Sequence, residues 1–269
     1  GVLLINMESE SEANLINKIS EKMNKITMVG IRLNPDITGN THKKISTGGK
    51  HDKFGLSYKD FLNFCKKIKN LKNLKLNGIS VHIGSQITNI KPFKKVLKII
   101  DKIITQSKID FKFIDLGGGM GISYTNKEKK LNIKDYARLV SKFVKNKKIQ
   151  IIFEPGRFIV GNTSILISKV IYIKKSSNKS FIILDAGMND LMRPALYNAQ
   201  HKILPITKNN SKIFGNFEFV GPICESSDTF LKQKSFPKIK EGDYVAITDV
   251  GAYGMSLTSN YNTRPIIAE

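Results

Sequence analysis

The chain has 269 residues, 41% hydrophobic and 25% charged, a composition that excludes a disordered protein and suits one large domain or two ordinary ones. Lys and Arg number 44 against 22 Asp and Glu, a formal net charge of +22, which taken alone points to nucleic acid or an anionic membrane. Only Arg32, Arg138, Arg157, Arg193 and Arg264 are arginines, so the residue suited to bidentate phosphate and base contacts is scarce, and neither partner is expected.

The chain opens at Gly1 directly into the apolar run Val2–Ile5. Short apolar segments, mostly β-branched or aromatic, predict strands at 2–6, 27–33, 76–83, 111–116 and 150–153. Four helical patterns lie between them. The first starts at Ser9, with Glu12 three residues on as in a capping box, and sets Leu15, Ile16, Ile19 and Met23 on one side. The second puts Phe61, Leu62, Cys65 and Ile68 on one face. The third is the most regular, with Phe93, Val96, Leu97, Ile100, Ile103 and Ile104 at i, i+3, i+4, i+7 spacing and Lys opposite. The fourth carries Ile133, Tyr136, Val140, Phe143 and Val144. This β-α repetition predicts a parallel sheet covered by helices over residues 1–158, either an open sheet or part of an eight-stranded barrel.

Beyond Arg157 the pattern changes. Residues 165–174, 181–185, 217–220 and 244–249 read as strands joined by links rich in Gly, Pro, Asn and Ser, so a mostly antiparallel β domain is expected over 159–269. The chain stops just after Pro265-Ile266-Ile267-Ala268, which reads as the start of another strand. Both ends look cut, and an internal piece of a longer protein is expected.

Chemistry-bearing residues collect at the C-terminal tips of three predicted strands: His82-Ile83-Gly84-Ser85, Asp115-Leu116-Gly117-Gly118-Gly119 and Glu154-Pro155-Gly156-Arg157. In both candidate architectures the active site lies at that edge. Gly117–Gly119 lack side chains, so their N–H groups can approach an anion, or they can simply make a tight turn. A carboxylate and a guanidinium at the mouth of a buried strand cost desolvation energy unless they are used. His42, His51, His82 and His201 are too scattered for a metal site, and none is expected. The two cysteines, Cys65 and Cys224, make no disulfide framework, so a reducing, cytoplasmic setting is expected. Cys65 sits on an apolar helix face as core packing, whereas Cys224 lies among Pro222, Glu225, Ser226, Ser227 and Asp228, a polar loop suited to an accessible thiol.

Seven segments in register, K-F-G-L (53–56), H-I-G-S-Q (82–86), G-G-G (117–119), E-P-G-R (154–157), R-P-A-L-Y-N-A-Q-H (193–201), G-P-I-C-E-S-S-D (221–228) and G-A-Y-G (251–254), resemble the diaminopimelate decarboxylase family. These are pyridoxal-phosphate enzymes with an alanine-racemase-type fold. The resemblance implies an α/β fold in which residues 1–158 are about the last five of eight strands of a (β/α)8 barrel, followed by the β domain. It implies a pyridoxal 5'-phosphate cofactor with His82 against its ring, Ser85 and Gly117, Gly118 and Gly119 at its phosphate, and Glu154 facing its ring nitrogen. The rest of that tip (Pro155, Gly156, Arg157) and Tyr253 are implied close to the cofactor.

It further implies meso-diaminopimelate as substrate, with L-lysine and CO2 as products. Arg157, Arg193 and Tyr197 would grip the distal carboxylate, since bidentate Arg suits it best. Glu225 would receive the distal ammonium, and Tyr253 would lie near the substrate. Cys224 would protonate the carbon that has lost CO2, acting in the partner's site of a homodimer. Glu225 after Cys224, and the Arg193…Tyr197 pair, separate the chain from relatives that decarboxylate ornithine, arginine or carboxynorspermidine; such a decarboxylase of another basic amino acid, or a non-catalytic binding or regulatory relative, is the alternative. The resemblance departs at one point. The family's cofactor-anchoring lysine, in a Y-A-x-K-A-N type motif on the first barrel strand, has no counterpart here. It is expected ahead of Gly1, and the 269-residue piece alone is expected to be inactive.

Overall fold

The computed structural model describes residues 1–39, 43–125, 128–207 and 211–269, so His42 lies outside the described residues. The chain divides into two compact units, residues 1–122 with 130–155, and residues 123–129 with 156–269.

The first unit is a five-stranded sheet of β1 (Ile5–Met7), β2 (Thr27–Arg32), β3 (Leu74–Ser80), β4 (Phe113–Asp115) and β5 (Gln150–Ile152), paired in chain order and parallel throughout. Strict chain order distinguishes an arc of a barrel from a doubly wound sheet, whose strand order reverses at a switch point. Curvature points the same way. Strands lie about 4.8 Å apart, yet Asn6 on β1 reaches Asp115 on β4, three strands away, with Nδ2 2.7 Å from Oδ2. A flat sheet could not bring those two side chains together.

Helices α1 (Glu10–Lys22), α2 (Tyr58–Lys67), α3 (Lys91–Ser107) and α4 (Ile133–Val144) connect the strands. In α3 the i, i+3, i+4, i+7 set is buried from Phe93 to Ile103, and α2 buries Phe61, Phe64 and Cys65. Burial pushes the Cys65 thiol up to about 12, as suits a core residue without reactivity. Ser9 caps α1 by accepting from the Glu12 N–H, while the Glu12 carboxylate accepts from the Glu8 N–H one residue upstream of the cap. The apolar side of α1 is exposed, with Leu15, Ile19 and Met23 open to solvent; the buried residues are Ala13 and Ser20. The helix contacts β2 and β3, and among the described residues β1 is an edge strand with one neighbour, so no further strand of that sheet lies against the opposite side of α1.

The second unit is a six-stranded sheet of β6 (Leu166–Lys175), β7 (Ser180–Leu184), β8 (Ile203–Pro205), β9 (Lys212–Val220), β10 (Thr229–Pro237) and β11 (Tyr244–Ile247), in the order β10-β9-β7-β6-β11-β8. Pairing is antiparallel except between β7 and β9, which are parallel. Val170, Ile182, Leu184, Phe219, Phe236, Val245 and Ile247 form its core, with Phe219 and Phe236 edge to face at 4.8 Å. Two short helices, α5 (Arg157–Val160) and α6 (Arg193–Tyr197), precede β6 and β8. Strands β8 and β10, not anticipated from sequence, are the two sheet edges. Lys232, Lys234 and Pro237 on β10 protect such an edge while breaking the apolar alternation that marks a strand. Residues 265–268, expected to begin a strand, form none; Ile266 is exposed and no strand pairs with it.

Candidate active site

In the first unit, three strand tips interlock through the main chain. The Val81 N–H donates to the Asp115 carbonyl, that of Leu116 to Ile152, and that of Glu154 to Gly117. The glycine triplet is demanded by this crossing. A Cβ on Gly117 would meet His82 Nδ1 and the Val81 carbonyl at 2.7 Å, one on Gly118 the Glu154 carbonyl at 2.2 Å, and one on Gly119 the Gly84 carbonyl at 2.2 Å. Gly117 and Gly119 also have φ of +62° and +85°.

Two of the triplet's three N–H groups are committed within the protein. That of Gly117 donates to Asp115 Oδ1 at 2.8 Å, and that of Gly118 to His82 Nδ1 at 3.2 Å. The Gly119 N–H donates to no protein atom among the described residues. An anion at this turn would therefore find the Gly119 N–H first.

The bond from Gly118 assigns the imidazole: Nδ1 is the acceptor, so a neutral His82 carries its proton on Nε2. Burial, then the Arg32 guanidinium, lower its pKa and keep the ring neutral. The His82 carbonyl accepts from Thr47 Oγ1 at 2.7 Å, and Ser85 is tied by its N–H to the Ile45 carbonyl at 3.1 Å. Glu154 is solvent-accessible at the tip of β5. Partial burial, then the Asp115 charge, raise its carboxyl pKa, with Arg32 acting the other way. Pro155 follows as the last residue of the unit.

Sequence reasoning placed Asp115 at the β4 tip without a role and missed the layer it forms beneath. Asp115 is 1% exposed and accepts from the Gly117 N–H, from Asn6 Nδ2 and, at 3.5 Å, from Ser80 Oγ. Burial raises its pKa against those bonds. Arg32, at the end of β2, pairs with Glu8 and stacks 4.7 Å over Phe54 of the K-F-G-L segment, whose Gly55 N–H donates to Glu8 at 3.1 Å.

The second unit holds a cluster of buried cations and aromatic rings. Arg157 and Arg193 are 6% and 4% exposed. Arg157 donates to the Tyr124 hydroxyl and lies 4.9 Å over the Tyr253 ring. Arg193 lies 4.4 Å over the Tyr124 ring and donates to His201 Nε2 at 2.8 Å. Burial lowers the Arg193 pKa, opposed by Tyr124; Arg157 lowers it further, and Tyr197 and Glu128 raise it. Thus Arg157, Arg193 and Tyr253, all expected in the site, share one cluster, with Tyr197 within electrostatic reach. Its centre is Tyr124, which no motif singled out. Tyr253 sits at φ +57° in the 251–254 turn, whose glycines are required because a Cβ on Gly251 would lie 1.9 Å from the Val160 carbonyl. Gly156 caps α5 ahead of Arg157, and a Cβ there would meet nothing closer than the Tyr253 hydroxyl at 4.0 Å.

Cys224 and Glu225 form a different group. Both are exposed. Glu225 accepts from the Tyr261 hydroxyl and, at 3.0 Å, from Ser227 Oγ; these bonds lower its pKa. Cys224 lies 3.9 Å from Asn262 Nδ2. No hydrogen bond or ring contact among the described residues joins either to the arginine cluster. Their loop is organised by buried Asp228, which accepts from the N–H groups of Met188 and Ile223 at 2.7 Å each. A cleft of about 560 Å³ in the unit, lined by Leu166, Leu191, Gly251, Gly254 and Met255 among others, borders the turn that carries Tyr253 but is lined by none of the expected site residues. Among the described residues no group of three His, Cys, Asp or Glu could hold a metal ion, and no helix is long and apolar enough to cross a membrane.

An arc of parallel strands with a neutral imidazole and a carboxylate at its tips, and a β domain with buried arginines, define a class. Residues 1–161 match the pyridoxal binding domain of the pyridoxal-dependent decarboxylases, and residues 97–251 match their C-terminal sheet domain. The chain belongs to the pyridoxal-dependent decarboxylase family.

Within it, the chain is 40% identical to the diaminopimelate decarboxylase of Aquifex aeolicus, aligned over all of this chain and 64% of that protein. It is 42% identical to that of Helicobacter pylori, over all of this chain and 67% of the relative. The crystal structure of the Helicobacter pylori enzyme complexed with L-lysine superposes with a TM-score of 0.90 at 41% identity, covering 99% of this chain and 67% of that one. The chain thus spans about two thirds of the length of these relatives.

Proposed function

We propose that the whole protein decarboxylates meso-2,6-diaminopimelate to L-lysine and CO2 with pyridoxal 5'-phosphate. The residues of the first unit fit this cofactor by their chemistry: a flat neutral ring at His82, a carboxylate at Glu154, and an uncommitted N–H at Gly119. His82 would lie against the cofactor ring, Glu154 would face its nitrogen, and Ser85 with the Gly117–Gly119 turn would hold its phosphate. When bound, pyridoxal phosphate supplies the electron sink that makes loss of CO2 from an amino acid feasible. Residues 1–158 are read as the cofactor-binding part of the barrel and 159–269 as the β domain.

The observation that carries the substrate assignment is the pair of buried arginines joined through Tyr124. A substrate whose distal end is a carboxylate matches that charge; ornithine and arginine offer only a cation there. Arg157, Arg193 and Tyr197 are assigned to the distal carboxylate, Glu225 to the distal ammonium, and Tyr253 to the substrate side of Arg157. Cys224 is assigned to return a proton to the carbon that has lost CO2. Its exposed thiol, apart from the arginine cluster, supports action in the partner's site of a homodimer. A cytoplasmic setting completes the reading.

The test is CO2 release by the whole protein from meso-diaminopimelate, L-ornithine and L-arginine. Diaminopimelate should be preferred by about a thousandfold or more in kcat/KM. Comparable rates with ornithine would overturn the assignment, and no release from any substrate would favour a non-catalytic relative. Arg193→Ala should weaken substrate binding by about 2–4 kcal/mol, read as a rise in KM; an unchanged KM would remove Arg193 from the clamp.

A further inference from the structure

His201 is 1% exposed in the second unit, and neither the sequence reading nor the proposed reaction gives it a part. It stands two residues ahead of β8, and Thr248 follows β11 directly. These strands pair antiparallel, with Ile247 opposite Ile203, and the Thr248 N–H donates to the Lys202 carbonyl at 2.9 Å. The imidazole is therefore fixed by the sheet. Arg193 reaches it because α6 ends at Asn198 in the left-handed conformation, φ +52°, which turns the chain back.

The hydrogen bonds assign the ring's protonation without further information. Nδ1 lies 2.9 Å from the Thr248 carbonyl, which can only accept, so Nδ1 carries a proton. Nε2 lies 2.8 Å from Arg193 Nη1, which can only donate, so Nε2 is bare. The ring is neutral. Its burial, which brings its pKa down to about 4, agrees.

Arg193 is thus held by an uncharged acceptor. No ion pair among the described residues involves it, and its Nε is buried without a hydrogen-bond partner. A buried guanidinium N–H with no acceptor among the described residues is free to take one from a bound anion. An Asp or Glu at position 201 could hold the same guanidinium but would neutralise it. A neutral histidine fixes its position and leaves its charge available.

We infer that His201 is a positioning residue for Arg193, orienting its guanidinium through Nε2 while preserving its positive charge for an anionic group of the substrate. This rests on the proposed reading, in which that group is the distal carboxylate.

The test compares His201→Gln, His201→Glu and His201→Leu in the whole protein. The readouts are KM and kcat for meso-diaminopimelate, calorimetric affinity for L-lysine, which is not turned over, and melting temperature. Gln offers an uncharged acceptor near Nε2 and should raise KM about threefold or less, whereas Glu should raise it about thirtyfold or more by cancelling the charge. L-lysine affinity should follow KM, and kcat should move less than KM. Leu, with no acceptor, should raise KM about tenfold or more. Should the Glu variant fail to fold, the contrast between Gln and Leu decides. Equal KM for all folded variants, or losses that follow melting temperature alone, overturn the inference and leave the functional reading standing. A wild-type protein that neither turns over diaminopimelate nor binds L-lysine removes both.

Discussion

In the five-stranded unit, the strand tips that carry the cofactor residues are held by main chain: His82 by the Gly118 N–H, the bracing Asp115 by the Gly117 N–H, and the β5 tip by the Gly117 carbonyl. In the second unit, the described contacts of Arg157 and Arg193 are with side chains: a phenol, two aromatic rings and an imidazole. A main-chain frame fixes geometry at a strand end and tolerates no added atom. A side-chain frame sets charge, because the identity of each neighbour decides how much of the cation is neutralised. The first suits a constant group, the second recognition of a particular anion.

The sharpest break in this contrast is Gly118→Ala. Its Cβ would lie 2.2 Å from the Glu154 carbonyl, a clash with main chain that no rotamer relieves. A loss of about 3 kcal/mol or more in urea denaturation is expected. If the variant were as stable as wild type, the interlocking of the tips would not be rigid. Next is Asp115→Asn. It sets an amide NH2 against either the Gly117 N–H or Asn6 Nδ2, leaving a buried donor unsatisfied at a cost of about 2–3 kcal/mol. A cost near zero would show that the carboxylate does not brace the turn.

How much of this could be read beforehand follows the same division. The tips of β3, β4 and β5 were legible because strand period and the rule that sites lie at C-terminal strand ends need only local sequence. Helix α3 was legible because its apolar residues keep one period across about three turns. The exposed side of α1 was not, since periodicity shows that Leu15, Ile19 and Met23 share a side but not what lies against it. Strand β10 escaped because the lysines and proline that protect an edge erase the alternation that reveals a strand. Tyr124 was invisible: nothing in Ser123-Tyr124-Thr125 marks it, and its importance arises only when the fold packs residues 123–129 with the second unit. His201 was visible as the end of a motif, but its partner Arg193, eight residues earlier, is supplied by the turn at Asn198.

The side-chain frame is sharpened by pH. Burial and the neighbouring Arg193 and Arg157 hold His201 near pKa 4, although the Thr248 carbonyl and Asp249 favour its protonation. Between pH 6.5 and 4 the unfolded chain binds a proton that the folded chain refuses, so stability from this group is full above pH 6.5 and falls as the pH drops. The loss amounts to about 2 kcal/mol between pH 7 and 4.5. Urea denaturation across this window should show a shallower fall for His201→Gln than for wild type. Identical slopes would mean that His201 is protonated in the folded protein, which its two hydrogen bonds forbid.

The smallest expected effect separates the two parts Tyr124 plays. Its hydroxyl accepts from Arg157, while its ring lies under Arg193. Tyr124→Phe removes the first and keeps the second, and should cost about 1.5 kcal/mol in stability, the low end for a hydrogen bond to a charged donor because the ring stays packed. Tyr124→Leu removes both and should cost more, by the cation–π term of about 1–2 kcal/mol for a desolvated pair. Combining each with Arg193→Ala makes a double-mutant cycle. Read as the cost of Arg193→Ala in each background, the coupling to residue 124 should keep its wild-type value with Phe and shrink by the cation–π term with Leu. If coupling disappeared with the hydroxyl alone, Tyr124 would act on Arg193 through Arg157 rather than through its ring, and the cluster would be a single hydrogen-bonded chain instead of two cations sharing one aromatic floor.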